Sequence, residues 1–293
     1  MAPVTTSRQN GVVGRALGLA IRLAPAALIV CGLVGARQLR ITRQQVRLAR
    51  LKAPLRVAFL TDLHFSRAFN EGSVRRWVDA ALAESPDVIL LGGDFVDDAV
   101  PREGLARLSA ELAWLEAPLG VHAVIGNHDR NAYANLDSLT DWLNRASINV
   151  LVNSGVRLRE DAWLGGVDDL WTGLPDVASA FAAADESAAW LLLSHNPDFL
   201  PRVPERVDLT FSGHTHGGQV VAPIFGPLYT GSSYGVRFAS GLVRGPALGY
   251  VSRGLGSTTL PVRIACPPEI AILDLLPTDE QTLNVQSPTL AIR

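Results

Sequence analysis

Val57-Ala58-Phe59-Leu60-Thr61-Asp62-Leu63-His64 opens with four apolar residues and ends with a carboxylate and an imidazole two positions apart. An apolar run with no polar face describes a strand covered on both sides, as the strands of a buried sheet are. The same plan recurs along the chain. Val88-Ile89-Leu90-Leu91 runs into Gly92-Gly93-Asp94, and Ala123-Val124-Ile125 into Gly126-Asn127-His128-Asp129. Trp190-Leu191-Leu192-Leu193 runs into Ser194-His195-Asn196, and Val207-Asp208-Leu209-Thr210-Phe211 into Ser212-Gly213-His214-Thr215-His216-Gly217-Gly218-Gln219. Five of the six histidines (His64, His128, His195, His214, His216) stand just beyond such runs.

Between the runs the hydrophobic period changes from strand to helix. Val74, Trp77, Val78, Ala81 and Leu82 recur at helical spacing, with Asn70 placed to cap them. Leu105, Leu108, Leu112 and Leu115 predict a second helix, and Leu136, Leu139, Trp142, Leu143 and Ala146 a third. Strand and helix in alternation specify an α/β domain. In open α/β sheets, sites gather beyond the carboxyl ends of strands, where every polar cluster here falls. After Asn144 short strands are expected over 149–152 and 163–167, then a small helix near 176–184 and a Gly/Pro-rich region over 217–256. Late strands are expected over 247–252 and 269–275, and the second half is expected to add another sheet.

A chain of 293 residues, 48% hydrophobic and 18% charged, can bury a full core. Its net charge of −2 lacks the basic field that nucleic-acid binding needs, so no nucleic-acid partner is expected. Cys31 and Cys266 make neither a disulfide framework nor a thiolate metal site.

Ala16 to Ala36 is a 21-residue apolar stretch broken by Arg22 and Pro25, long enough as a helix to reach roughly 30 Å, the thickness of a bilayer core. The expectation is a membrane anchor. The alternatives are a cleaved signal peptide, with Leu23 to Ala36 as its apolar region, and a helix packed on the domain. Arg37, Arg40, Arg43, Arg47, Arg50 and Lys52 follow the stretch, against Arg8 and Arg15 before it. The positive-inside tendency then places the following domain in the cytoplasm, at the cell membrane, whereas signal cleavage would export it.

Collected, the strand ends supply Asp62, His64, Asp94, Asn127, His195, His214 and His216: carboxylate, amide and imidazole donors without a thiolate. Such mixed donors suit Mn, Fe, Zn or Mg. Seven are too many for one ion, and they suit two ions about 3.5–4 Å apart that share a carboxylate and a hydroxide. Each motif alone is weak; their appearance in order at five strand ends is not.

Asp62-Leu63-His64, Gly93-Asp94-Phe95-Val96-Asp97, Gly126-Asn127-His128-Asp129, His195 and Gly213-His214-Thr215-His216 together resemble the signature of the calcineurin-like metallophosphoesterases, over roughly residues 55 to 275. The resemblance implies a four-layer α/β/β/α sandwich, here preceded by an N-terminal apolar helix. It also implies that Asp62, His64 and His216 hold one divalent metal ion, that Asn127, His195 and His214 hold a second, and that Asp94 bridges them. His128 would contact the phosphate and protonate the leaving oxygen, steadied by Asp129. Asp97 reads as structural support, His122 as packing, and Arg130, Arg237, Arg253 and Arg263 as surface residues or contacts for a second phosphate. Gly126, Gly213 and Gly217 are expected to permit turns that a side chain would block. The chain thus divides into an N-terminal tail and anchor (1–37), a metallophosphoesterase domain (38–276) and a disordered tail (277–293).

Protein phosphatases of this superfamily carry Arg-Gly after the second motif, where this chain has Asp98-Ala99, and the third motif ends in Asp129 rather than Glu. That argues against a phosphoprotein substrate. The layout is similar to a bacterial membrane-associated subgroup that includes phosphodiesterases and pyrophosphatases acting on nucleotide-linked acylated sugars. The implied partner is a small phosphorylated substrate, with lipid linkage as one form. A non-catalytic scaffold would have lost donors, and a nuclease would show a basic channel.

Overall fold

The apolar runs lie in or directly against strands whose alternate residues face two different neighbours; of Ala123-Val124-Ile125 only Ala123 is in its strand. The computed structural model describes residues 25–133 and 135–278. In chain order its elements are β1 (Arg40–Leu48), β2 (Leu55–Leu60), α1 (Glu71–Leu82), β3 (Val88–Leu91), α2 (Arg102–Leu112), β4 (Val121–Ala123), α3 (Asn127–Ala132), α4 (Asp137–Arg145) and β5 (Ile148–Val150). There follow β6 (Ser154–Arg159), β7 (Ala162–Gly166), α5 (Val177–Ala180), β8 (Ala189–Leu193), β9 (Leu209–Ser212), β10 (Val221–Ala222), β11 (Gly226–Pro227), β12 (Gly241–Arg244), β13 (Leu248–Val251) and β14 (Glu269–Pro277).

One six-stranded sheet has the order β1-β14-β2-β3-β4-β5, and the other β12-β13-β9-β8-β7-β6. The runs β2 to β5 are parallel neighbours, as are β7, β8, β9 and β13. The last strand returns to the first sheet: β14 pairs antiparallel with β2 and parallel with β1, which joins the two ends of the domain.

Within β2 and β3, Val57, Phe59, Val88 and Leu90 belong to one apolar cluster with Leu191, Leu193, Leu209, Phe211 and Tyr250 of the second sheet. Their alternates Ala58, Leu60, Ile89 and Leu91 pack with Val74, Val78, Leu105, Leu108 and Leu139 of the helices. A third cluster joins Leu192 to Ala180, Phe199 and Phe238. Phe59 meets Phe211 edge to face, ring centroids 5.5 Å apart, and both rings are fully buried. Truncating such a ring to alanine costs about 3–5 kcal/mol. This contact sets the carboxyl end of β2 beside that of β9.

Residues 25–35 are helical; the remainder of the expected anchor, 16–24, lies outside the described residues, as does the tail from 279. Among the described residues no helix is long and apolar enough to cross a membrane. The end of the helical segment rests on the domain: Ala36 is in the core, and the carbonyl of Gly32 accepts the Arg263 amide at 2.9 Å. β14 continues to Pro277, the first residue of the stretch expected to be disordered.

Candidate metal centre

Five strand ends converge because parallel strands point their carboxyl ends the same way. The loops beyond them are tied to each other: the Asp62 amide donates to Gly93, the His64 amide to Asp94 and the Gly213 amide to His195, at 2.9–3.0 Å. Asp62, His64, Asp94, His214 and His216 all have φ between 46° and 70°. Non-glycine residues rarely adopt this region, and such strain persists only where the surroundings enforce it. It turns each side chain inward immediately after its strand.

The structure brings all seven expected donors together and divides them into overlapping groups. Asp62, His64 and His216 form one, with His64 Nε2 3.0 Å from His216 Nε2 and His216 Nε2 3.6 Å from Asp62 Oδ1. Asp94, His195 and His214 form another, with Asp94 Oδ2 3.1 Å from His195 Nε2. Asn127 Oδ1 joins the second group, 3.1 Å from His195 Nε2 and 2.8 Å from His214 Nδ1. Asp94 also lies 3.8 Å from His64 Nε2, and with His64 and His128 it forms a third group that overlaps the other two.

These residues fit divalent cations. His64 and His216 aim ring nitrogens at each other beside a carboxylate, and His214 Nε2 is buried without a hydrogen-bond partner. Burial would lower the His195 imidazole, but the adjacent Asp94 carboxylate outweighs burial and lifts it to about 10. The cluster therefore favours positive charge at that point, and a metal competes with the proton for it. Burial, then repulsion from His195, holds His214 down at about 4, and burial with His64 and Arg263 pushes His216 below the ordinary histidine value. Neutral rings offer the lone pairs that metal ligation requires.

His128 stands in the first turn of α3 at the rim, its side chain 30% exposed. Its Nδ1 donates to the Asp97 carbonyl at 3.0 Å, since a carbonyl only accepts. That leaves Nε2 as the nitrogen free for substrate. The expected support from Asp129 is not found. Asp129 is wholly buried and accepts from the Phe95, Val96 and Gly126 amides at 2.8, 3.2 and 3.0 Å. As the third residue of a helix it reaches back to the Gly126 amide at the helix start, and it also ties the loop after β3 through the Phe95 and Val96 amides. Asp97 does what was expected of Asp129: its Oδ1 stands 3.5 Å from His128 Nδ1 and 3.1 Å from His64 Nδ1.

Of the four arginines, only Arg237 is exposed. Arg130 donates through Nε to Asp168 at 3.0 Å, and Arg253 through Nε to Glu269 at 2.7 Å. Arg263 corrects the surface reading: it is 1% exposed, donates to the carbonyls of Gly256 and Arg253, and sets Nη2 3.1 Å from His216 Nδ1. His122 is a packing residue, bonded to the Leu119 carbonyl at 2.9 Å. Gly217 turns at φ 60°, but Gly126 has an ordinary φ of −100° and is needed for space instead. A Cβ there would lie 2.1 Å from Asp94 Oδ1.

A cavity of about 260 Å³ opens onto Asp94, Asn127, His128, His214 and His216, and Trp171, Tyr229 and Thr258 are also in its wall. Trp171 meets His214 edge-on at 4.3 Å. Sequence reasoning missed these three, because nothing in a loop's local pattern says which site it will overhang. A second cavity of about 670 Å³ is lined by Asp97 with Arg67, Asn70 and Arg107.

Residues 55–218 match the family model of the calcineurin-like phosphoesterases, and the chain belongs to that family. The class of activity is metal-dependent hydrolysis of phosphoric esters. Among its relatives, phosphodiesterase YaeI of Escherichia coli (strain K12) is 33% identical, covering 76% of this chain and 83% of that protein. Metallophosphoesterase YkuE of Bacillus subtilis (strain 168) is 29% identical over 76% of this chain and 80% of its own length. UDP-2,3-diacylglucosamine pyrophosphatase LpxG of Chlamydia trachomatis (serovar D) is 27% identical over 81% and 89%.

Proposed function

We propose that the protein hydrolyses a phosphodiester or pyrophosphate bond at a centre of two divalent ions, in a small substrate with a lipid-linked part, at the cytoplasmic face of the cell membrane. The observation that carries the hydrolytic reading is the gathering of seven oxygen and nitrogen donors in groups that overlap at His64 and Asp94, with His128 beside them at the rim. Asp62, His64 and His216 would hold one ion, Asn127, His195 and His214 the other, and Asp94 both. Bound there, divalent ions offset phosphate charge and make a nucleophilic oxygen available at neutral pH.

The chain's own residues supply the rest. His128, oriented by the Asp97 carbonyl, donates a proton from Nε2 to the leaving oxygen. The cavity of about 260 Å³ over the centre leaves room for the organic substituent of a phosphodiester or pyrophosphate. The relatives named for diester and pyrophosphate cleavage support the same class, and the second of these names an acylated sugar nucleotide. The three apolar clusters support the four-layer arrangement, with one between the sheets and one under each helical face. The apolar stretch and the arginines after it support the membrane location.

The test is hydrolysis of bis(p-nitrophenyl) phosphate, with a pyrophosphate and a monoester beside it. Turnover is expected to depend on added Mn or a similar ion and to fall about 100-fold or more in His128→Ala, and further in Asp94→Ala. Folded protein that turns over no phosphoester with any divalent ion sinks the reading. Protease accessibility in sealed vesicles tests the side of the membrane.

A further inference from the structure

We propose that the apolar surface running from the N-terminal helical segment across residues 260–264 to the hairpin of β10 and β11 is a bilayer-docking face that sets the mouth of the metal centre against the membrane. It rests on the phosphoesterase reading above and adds the partner that presents the substrate.

Three segments remote in sequence lie side by side here. Gly32 of the helical segment packs so closely on Val262 and Ile264 that a Cβ would lie 2.3 Å from the Val262 side chain. Ile264 bridges to Val220, its carbonyl accepting the Val221 amide at 3.0 Å. The Leu228 amide in turn donates to Val220 at 3.1 Å, and the next residue, Tyr229, is in the cavity wall with His128 and His214. These contacts tie the three segments together, and the last of them reaches the site.

Its outer side is apolar. Ile224 and Phe225, at the hairpin tip, are 101% and 82% exposed, and Leu228, Leu260, Leu28 and Ile29 are exposed with them. Fully burying one such side chain is worth about 1.5–3 kcal/mol, which water forfeits at every one of them. Single exposed apolar residues are ordinary; a joined set beside a site marks a contact surface. Ile224 also has φ 73°, an outlier for a β-branched residue, so the tip is held out at a backbone cost.

The occupant is a bilayer because the face leads into hydrocarbon-like sequence. Residues 16–24, which run directly into the helical segment, are apolar except for Arg22. At the segment's other end Arg37 is exposed, its Nη1 on the Leu33 carbonyl, followed by exposed Arg40; both suit anionic headgroups. Amphipathic surfaces of this kind lie in the interface plane.

The experiment uses the full chain with Cys31→Ser and Phe225→Cys, an environment-sensitive fluorophore on the new thiol, and vesicles of phosphatidylcholine with phosphatidylglycerol. Vesicles should blue-shift the emission, and spin-labelled acyl chains should quench it. The same probe at Glu116→Cys, beyond the amino ends of the strands, should not respond. A chain that leaves the vesicles unbound, or binds them while the probe at 225 stays in water, overturns the proposal. So does a probe that responds to chain concentration instead of lipid, which would assign the face to a second copy. Ile224→Asp with Phe225→Asp should keep hydrolysis of soluble bis(p-nitrophenyl) phosphate and slow severalfold that of a fluorescent-headgroup phosphodiester in the vesicles; equal slowing of both refutes the role in presentation. Failure of the unaltered chain on the soluble diester would remove the hydrolase reading and leave the insertion result standing.

Discussion

The Asp97 carboxylate stands 3.1 Å from His64 Nδ1, on the side of the ring away from the metal-site nitrogen. A carboxylate in that place fixes the ring's orientation and tautomer and raises its basicity as a ligand. Asp97→Asn should therefore weaken metal binding about 10–100-fold. Metal titration followed by calorimetry checks this, and unchanged affinity refutes it.

Arg263 is the largest of the fully buried side chains, and burial lowers its guanidinium only to about 10, so it stays charged at neutral pH. It holds the carbonyls of Gly256 and Arg253 beside His216. Arg263→Met strands those acceptors and should cost about 3 kcal/mol or more. Arg263→Lys should restore part of the loss, because an ammonium reaches fewer acceptors than the planar fork. Thermal unfolding of both variants, with bound metal measured, tests the order.

Gly126→Ala places a methyl 2.1 Å from Asp94 Oδ1 and 2.5 Å from the Asp94 amide, with no flexible group to yield. Overpacking of this kind costs about 1–3 kcal/mol, and here the displaced group is the Asp94 carboxylate at the middle of the donor cluster. The expected result is a lower unfolding midpoint together with reduced metal content. A variant with full metal content contradicts the close-approach argument.

Trp171 is half exposed in the cavity wall, on a loop whose Asp169 carboxylate accepts the Trp171 amide at 2.9 Å. Trp171→Ala should raise KM for diesters with aromatic substituents about 10-fold, equivalent to about 1.4 kcal/mol of lost contact. The turnover number should hardly move. Steady-state kinetics with aromatic and alkyl diesters separates this from a structural effect, which would fall on both.

His122 lies away from the metal centre, and burial keeps its imidazole below the ordinary 6.5. Its Nε2 donates to Leu119 and its Nδ1 accepts from Asn149 Nδ2 at 3.2 Å, a pairing that only the neutral ring satisfies. As pH falls the unfolded chain takes the proton first, so this stability is complete above about 6.5 and is lost as pH falls through the lower folded value. The stability gap between the parent and His122→Gln should shrink over that window in denaturant titrations. A pH-independent gap excludes the linkage.

Much of the site was legible because its information is local. Asp62, His64, Asp94, Asn127, His195, His214 and His216 follow strands that announce themselves by unbroken apolar runs, and the structure gathers all of them. Asp129 shows where local reading stops. It is adjacent to His128 in the chain, yet its carboxylate is taken up by the Gly126 amide at the helix start and by the Phe95 and Val96 amides of the loop after β3. Arg263 looked like surface because arginine usually is, and only the enclosing carbonyls explain its burial.

The amino-acid sequence by itself determined the α/β class, the strand ends and the kinds of donor atom at them, because periodicity and residue chemistry act within a few positions. Only the tertiary structure decided how the strand ends face one another, through the Phe59–Phe211 contact between sheets, and which donors form each group. It also decided the left-handed backbone at Asp62, His64, Asp94, His214 and His216. Non-glycine residues do not choose that conformation unaided; the packed loops around them impose it.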